Sequence, residues 1–443
     1  MRTMPSKNTG PLEGIKVLDF TWSVAGPTMT RYLAGLGARV FKVEWPKGPD
    51  PMRSVMFRSD TQKRTWNNDA FFANLNIGKE SLTINVKDPC GLDLIKDMIK
   101  HVDIVSESFS ASVLQGWGLD YETMRQINPA LVYISISGFG HTGPHKDKNT
   151  WGPTAQAMSG MTAASGVPGR DPAGWGYSYL DVSAGYMGAI GVLAAVRQAI
   201  KTGEGCHIDM SQVETGLVLV GPMLTDYLTD GKRTPSSYPN GNRSLDAKGQ
   251  DAGYRGDTAP LSNIYPTAGG GKDDWVAMTV TQNGQWQKLC SLVADLQDYA
   301  RLDVREITSR LCEIEGMLKK HFANRDKYTA ADELTNAGIP AAPVQSGKDR
   351  VERDPQLKHR GLIAQADHPQ LGKHGIQDLP YRFLDDGPDW QFTSIFPILG
   401  GNTRAILHDI LGKDDAELEM LAQEDVFWPE GIPHEVHIEK SKW

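Results

Sequence analysis

Cysteine is scarce. The chain has four in 443 residues (Cys90, Cys206, Cys290 and Cys312), and no two form a C-x-x-C pair. That excludes a disulfide framework and a cysteine zinc site. Basic charge is not in excess either: 46 Lys and Arg stand against 54 Asp and Glu, a net charge of −8. Nucleic acid is therefore not an expected partner, although local cations can still hold a small anion. Long apolar runs are missing. The longest, Met187 to Val196, is too short to span a bilayer and stops at Arg197. The opening "MRTMPSKNTGPLEG" lacks the apolar core of a signal peptide. The expectation is a reduced, cytoplasmic protein that does not enter a membrane.

What is present is alternation. "IKVLDF" and "RVFKVE" are compact apolar runs flanking "TMTRYLAGLGA", a short helix that stops at Gly37. "SLTINVK", "DIVSESF" and "PALVYISISGFG" supply further strands. Between the first two lies "DPCGLDLIKDMIKHV", with Asp88 as N-cap and Pro89 in the first turn. Strands and helices in alternation predict an α/β fold: a Rossmann-like, mostly parallel sheet buried on both faces. This large domain is expected over residues 1–211. A polar linker follows over 212–260, a smaller α+β domain over 261–345, and a return segment over 346–443 that completes the large domain. The small domain is read from the strand "DWVAMTV", the helix "NGQWQKLCSLVADL" and the extended edge "AGIPAAPVQS"; "GNTRAILHDILG" reads as the final helix.

The loop "TWSVAGP" follows the first strand, on the edge where α/β proteins bind ligands. It lacks G-x-G-x-x-G, and Pro27 stands where a dinucleotide loop needs bare backbone, which disfavours a nicotinamide dehydrogenase. Lys79, in "ANLNIGKES", reads by itself as a solvated loop lysine. "SISGFGHTGP" places Gly138, Gly140 and Gly143 after a strand, for close backbone approach or simply for a turn. His141 and His145 have no spaced carboxylate or cysteine, so no metal site is expected. Asp181, in "LDVSAG", opens an apolar helix carrying Gly185, Gly188 and Gly191. It reads as an N-cap worth ~1 kcal/mol, or as an ionised carboxylate aimed by the helix dipole, as a nucleophile requires. Each helical glycine costs ~1 kcal/mol relative to Ala, so a chain segment or a flat ligand must approach closely there.

Taken together, "PLEGIKVLDFTWSVAGPTMTRYLAGLGARVFKVE", "GPDPMR", "NIGKESL", "ESFSAS", "SISGFGHTGP", "AQAMSG", "LDVSAG", "DPQLKHRG" and "HPQLG" follow one order along nearly the whole chain. In that order the sequence resembles the class III CoA-transferases, the formyl-CoA transferase or CaiB/BaiF family. The resemblance implies that Asp181 is the catalytic aspartate, acting through aspartyl–acyl anhydride and aspartyl–CoA thioester intermediates. No permanently bound cofactor is implied, since the coenzyme A thioester is itself the substrate. It further implies CoA contacts from Val24, Ala25, Lys79, Ser108 and Phe109, with Ser137 and Phe139 bordering the thioester. The family's "ENFRPG" stands here as "ESFSAS", and its "GD" as Leu180–Asp181.

Members of the family are interlocked dimers, so an interlocked homodimer, or a heteromer with a related subunit, is implied. The "FTWSVAGPTMTR" opening looks most like the benzylsuccinate CoA-transferase branch, with succinyl-CoA as donor. Val24, Trp22 and Trp151 suit a bulky apolar acceptor acid. Two alternatives stand beside this reading: a non-catalytic CoA-binding subunit, and a 2-methylacyl-CoA racemase. Trp151 falls where the racemases carry a histidine, and tryptophan offers no base.

Overall fold

In the computed structural model the described residues are 2–3, 10–54, 65–163, 165, 171–174, 176, 178–230, 261–382, 384, 392 and 394–428. The chain divides into two compact units. The first comprises residues 1–162, 174–224 and 360–443, and the second 163–173 and 225–359.

The first unit is built on six strands: β1 (Lys16–Asp19), β2 (Arg39–Glu44), β3 (Glu80–Thr83), β4 (Ile104–Glu107), β5 (Val132–Ser137) and β6 (Cys206–Ser211). All neighbours pair in parallel, in the order β3-β2-β1-β4-β5-β6. This is the doubly wound order, and its switch point lies between β1 and β4. The Rossmann-like reading is therefore correct. The sixth strand, "CHIDMS", is an edge strand that sequence reasoning did not assign. Only Ile208 and Met210 of it pack on the core, while Cys206, His207 and Asp209 are exposed.

Both faces of the sheet are covered. On one lie α1 (Ala25–Gly35) and the 24-residue α4 (Tyr179–Thr202), where Met29, Leu33, Ala184 and Val192 meet Val17, Val40 and Ile134. On the other lie α2 (Pro89–Ile99) and α6 (Thr403–Leu411), whose Ile95, Met98, Ile406 and Leu407 meet Leu18, Phe41 and Val105. Asp88 caps α2 as expected, accepting the N–H groups of Cys90 and Gly91. The helix α6 is not the last, since Asp415–Gln423 forms another.

Gly185 and Gly188 of α4 are explained by packing. A Cβ on Gly185 would lie 2.6 Å from Thr28 Cβ and 2.7 Å from the Ala25 carbonyl, so the Thr28 side chain and the backbone of α1 press directly on the α4 backbone. A Cβ on Gly188 would meet Ile136, Met29 and Met210 at 3.1–3.3 Å. At Gly185 and Gly188 packed protein, not a flat ligand, offsets the cost, whereas a Cβ on Gly191 would make only ordinary contact with Ile208 at 3.9 Å. By length and composition α4 could cross a membrane, but half of its most apolar window is buried in the protein.

The expected linker begins too early at 212. Residues Gln212–Leu219 (α5) and Gly221–Asp230 are helical, because Ser211 caps the first by accepting Glu214 N–H. The polar stretch 231–260 lies outside the described residues. Within 346–443, Gly347–Glu352 and Pro355–Arg360 are helices, and Ile363–His368 pairs with Gly372–Gln377. The second unit, residues 225–359 with 163–173, is α+β. It holds an antiparallel sheet of Leu261–Pro266, Trp275–Val280 and Ala341–Pro343, with a core around Tyr265, Trp286 and Phe322.

Candidate active site

The loop after β1 is held rigidly from beneath. Asp19 accepts the N–H and hydroxyl of Thr21 at 3.0 and 2.6 Å, and Lys42 Nζ donates to the Thr21 carbonyl at 2.8 Å. Asp50 accepts Ser23 N–H at 3.2 Å and pairs with Lys42 at 2.9 Å. Ser23 adopts φ +63°, a left-handed conformation that persists only where surrounding bonds over-determine it. These bonds belong to a buried network of three acids and three bases: Asp19, Glu44, Asp50, Lys42, Arg53 and Lys79.

Lys79 is thus neither a solvated loop lysine nor free for a phosphate. Its ammonium has no exposed surface and donates to Asp19 (3.2 Å), Asn76 Oδ1 (2.8 Å) and the Pro27 carbonyl (3.3 Å). Burial draws it down to about 8 against the pull of Asp19. Sequence reasoning missed this because Asp19 lies 60 positions away.

At the switch point the loops after β1 and β4 join. Ser108 Oγ accepts Trp22 N–H at 2.9 Å and donates to the Trp22 carbonyl at 3.1 Å. Phe109 packs edge-on against Trp22 (5.2 Å) and Trp117 (5.8 Å). These rings, with Phe20, Val43 and Trp45, line a cavity of about 420 Å³ with Lys47 and Lys87 among its residues. Trp22 and Phe109 line this cavity, with Ser108 bonded to the Trp22 backbone behind them, whereas Trp151 is not among the lining residues. Val24 is buried among Met52, Phe71 and Phe396, with Val182 and Leu371 against that cluster, and Ala25 begins α1.

Asp181 is not the N-cap of α4. Ser178 holds that position, and Asp181 lies in the first turn, buried. Its Oδ1 accepts Nε2 of Gln212 at 2.9 Å. Its Oδ2 lies 2.3 Å from where a Cβ on Gly152 would stand, so the bare backbone at the start of α3 (Gly152–Met158) makes room for it. Trp151, next to that glycine, is 59% exposed. Burial raises the Asp181 carboxyl above its usual value, and hydrogen bonds from Ser178 and Gln212 oppose the rise. Gln212 was not singled out from the sequence, since no spacing ties it to a residue 31 positions away. With Gln212→Leu that opposition falls, so the acid limb of the kcat/KM profile should move to higher pH. A limb that stays put or moves to lower pH would show that Gln212 does not tune the Asp181 carboxyl.

Ser137 ends β5 with its Oγ buried and, among the described residues, unpartnered. The Phe139 ring stacks edge-on with His145 at 5.3 Å. His141 does have a carboxylate neighbour: its Nε2 lies 3.2 Å from Glu107 Oε1. Among the described residues no three His, Cys, Asp or Glu side chains gather as a metal site.

A doubly wound sheet binds ligands at its switch point, and the aromatic cavity lies there. The model of CoA-transferase family III matches residues 12–403, and the chain belongs to that family. It is 32% identical to succinyl-CoA–D-citramalate CoA-transferase of Chloroflexus aurantiacus, over 93% of this chain and 96% of the relative. It is 31% identical to formyl-CoA:oxalate CoA-transferase of Rhodopseudomonas palustris over the same shares. A crystal structure of a CaiB/BaiF family protein from Brucella suis superposes with TM-score 0.76 at 27% identity, covering 91% of this chain and all of that one. The chain is a class III CoA-transferase.

Proposed function

We propose that the chain moves CoA from succinyl-CoA to a bulky organic acid, an aromatic succinate such as benzylsuccinate, with Asp181 as nucleophile. The observation that carries this reading is the buried Asp181 carboxylate, oriented by Gln212 and given room by Gly152. Its attack on the donor thioester carbonyl expels CoA thiolate and leaves an aspartyl–acyl anhydride. The thiolate then attacks the aspartyl carbonyl, releasing succinate and leaving an aspartyl–CoA thioester. The acceptor carboxylate attacks that thioester, and the expelled thiolate takes the acceptor acyl group, which restores Asp181. The Trp22–Phe109–Trp117 cavity suits the adenine ring, with Lys87 at its edge for phosphate and Lys47 held beside it by Asp425 at 2.7 Å. The apolar cluster of Val24, Val182 and Leu371 suits an apolar acceptor.

The same reading includes an interlocked dimer. Ile190 and Val218 are 63% and 71% exposed, and Tyr186 and Met187 add to this uncovered apolar face of α4 and α5. A second copy of the chain is the occupant we propose for it.

Hydroxylamine tests the chemistry. Enzyme mixed with succinyl-CoA and no acceptor should be inactivated by hydroxylamine, with a hydroxamate mapped to Asp181 by peptide mass. Inactivation without acyl-CoA, or a hydroxamate elsewhere, would remove Asp181 from the covalent path.

A further inference from the structure

Glu107 is buried at the end of β4 and forms no bond with lysine or arginine among the described residues, so its enclosure is costly unless it serves a purpose. Its Oε2 accepts Phe109 N–H at 2.6 Å, and its Oε1 accepts Tyr133 OH at 3.1 Å. His141 closes the other side, with Nε2 3.2 Å from Glu107 Oε1 and 3.4 Å from the Phe109 carbonyl. The backbone of Phe109 is therefore gripped at both its N–H and its C=O. Neither Glu107 nor His141 lines the cavity into which Phe109 presents its ring.

His141 is itself anchored. Its N–H donates to Asp209 Oδ1 at 2.7 Å, and Thr142 Oγ1 donates to Asp209 Oδ2 at 3.1 Å. At the start of the same loop, the Gly138 carbonyl accepts Val213 N–H (3.0 Å) and Ser211 Oγ (3.2 Å). Those two residues flank Gln212, which holds Asp181. The loop after β5 thus runs from the support of the nucleophile to the support of Phe109.

We propose that His141 and Glu107 are positioning residues that clamp Phe109 and tie the CoA cavity to the loop beside Asp181. This inference rests on the cavity being the CoA site. The clamp holds one proton near neutrality. Burial pushes Glu107 up to about 8, against hydrogen bonds from Phe109 and Tyr133, and burial lowers His141 below its usual value. The other titratable groups facing the pair are Tyr133 and Asp209, with His207 acting on His141 through space. Above about pH 8 Glu107 becomes an unneutralised carboxylate beside a neutral imidazole. The grip on Phe109 then changes, and so should affinity for CoA.

Dissociation constants for CoA, read from tryptophan fluorescence between pH 6 and 9, test the clamp in four proteins. Wild-type affinity should change as pH crosses about 8, where Glu107 ionises. His141→Ala should weaken binding about tenfold at pH 7, the weight of a hydrogen bond to an ionisable group. His141→Gln, whose amide can still donate, should stay within about threefold of wild type. In both His141 variants kcat at saturating acyl-CoA and the melting temperature should stay near wild type, which separates positioning from general destabilisation. Trp22→Ala is the control for the cavity. If Trp22→Ala weakens binding while His141→Ala does not, the clamp is overturned and the cavity stands. If neither variant alters binding, CoA lies elsewhere, and both the cavity assignment and the clamp fail.

Discussion

Asp181→Asn should abolish CoA transfer and leave the fold intact. An asparagine keeps the volume beside Gly152 and a carbonyl oxygen for Gln212 Nε2, so neither neighbour has to move. What it loses is nucleophilicity, and removal of a covalent nucleophile leaves only the catalysis supplied by binding and positioning. Transfer should fall by several orders of magnitude. Because Ser178 and not Asp181 occupies the N-cap position, no cap is lost. Stability should even rise at neutral pH. A carboxyl raised by burial favours the folded state fully below its ordinary value of 3.8 and loses that contribution as pH rises through its folded value. At pH 7 wild type bears the cost of a buried charge and the variant does not, so Asp181→Asn should melt no lower than wild type. The difference should close in acid. More than about a tenth of wild-type transfer (roughly 1.4 kcal/mol of barrier) in protein checked for deamidation would show that Asp181 is not the nucleophile.

Lys79→Met should cost stability before it costs catalysis. The side chain lies in a fully enclosed ion network, and its removal leaves Asp19 buried with Lys42 nearby and only the Thr21 N–H and hydroxyl donors. Burial raises the Asp19 carboxyl, but Lys79, Lys42, Thr21 and Thr30 together keep it below its ordinary value, so it remains an anion in need of a partner. Breaking such a pair costs about 3–5 kcal/mol, a fall in melting temperature on the order of 6–12 °C. Pairing it with Asp19→Asn should return a large part of that loss. In the fraction that stays folded, KM for acyl-CoA should be near that of wild type. A normal melting temperature with a raised KM would restore Lys79 as a CoA contact.

The strands β1 to β5 were legible because parallel strands buried on both faces are written as short continuous apolar runs. The edge strand β6 was not, since only two of its residues pack on the core. The same logic divides the site. The ordered motifs point to Asp181, Ser108 and Phe109; the structure joins Ser108 and Phe109 to Trp22 and buries Asp181 beside Gln212 and Gly152. Lys79 was read wrongly, because burial and pairing with Asp19 depend on strand order across the sheet and not on neighbours in sequence. Gln212 and the Glu107–His141 contact were silent for that reason too. The glycines of α4 announced a close approach, but only the helix α1 lying on them says what approaches.

The contact between Asp181 and Gly152 bears on how such an enzyme can change its substrate. Any side chain at 152 would occupy the space of Asp181 Oδ2, and any at 185 would press into Thr28 and the Ala25 carbonyl of α1. At 152 and 185 the wall itself is bare backbone, with no side chain of its own to vary. If the apolar cluster takes the acceptor as proposed, diversification toward new acids is left to Val24, Val182 and Leu371. In an evolving lineage the chemistry is therefore sterically locked, while the choice of acid stays open to drift and selection.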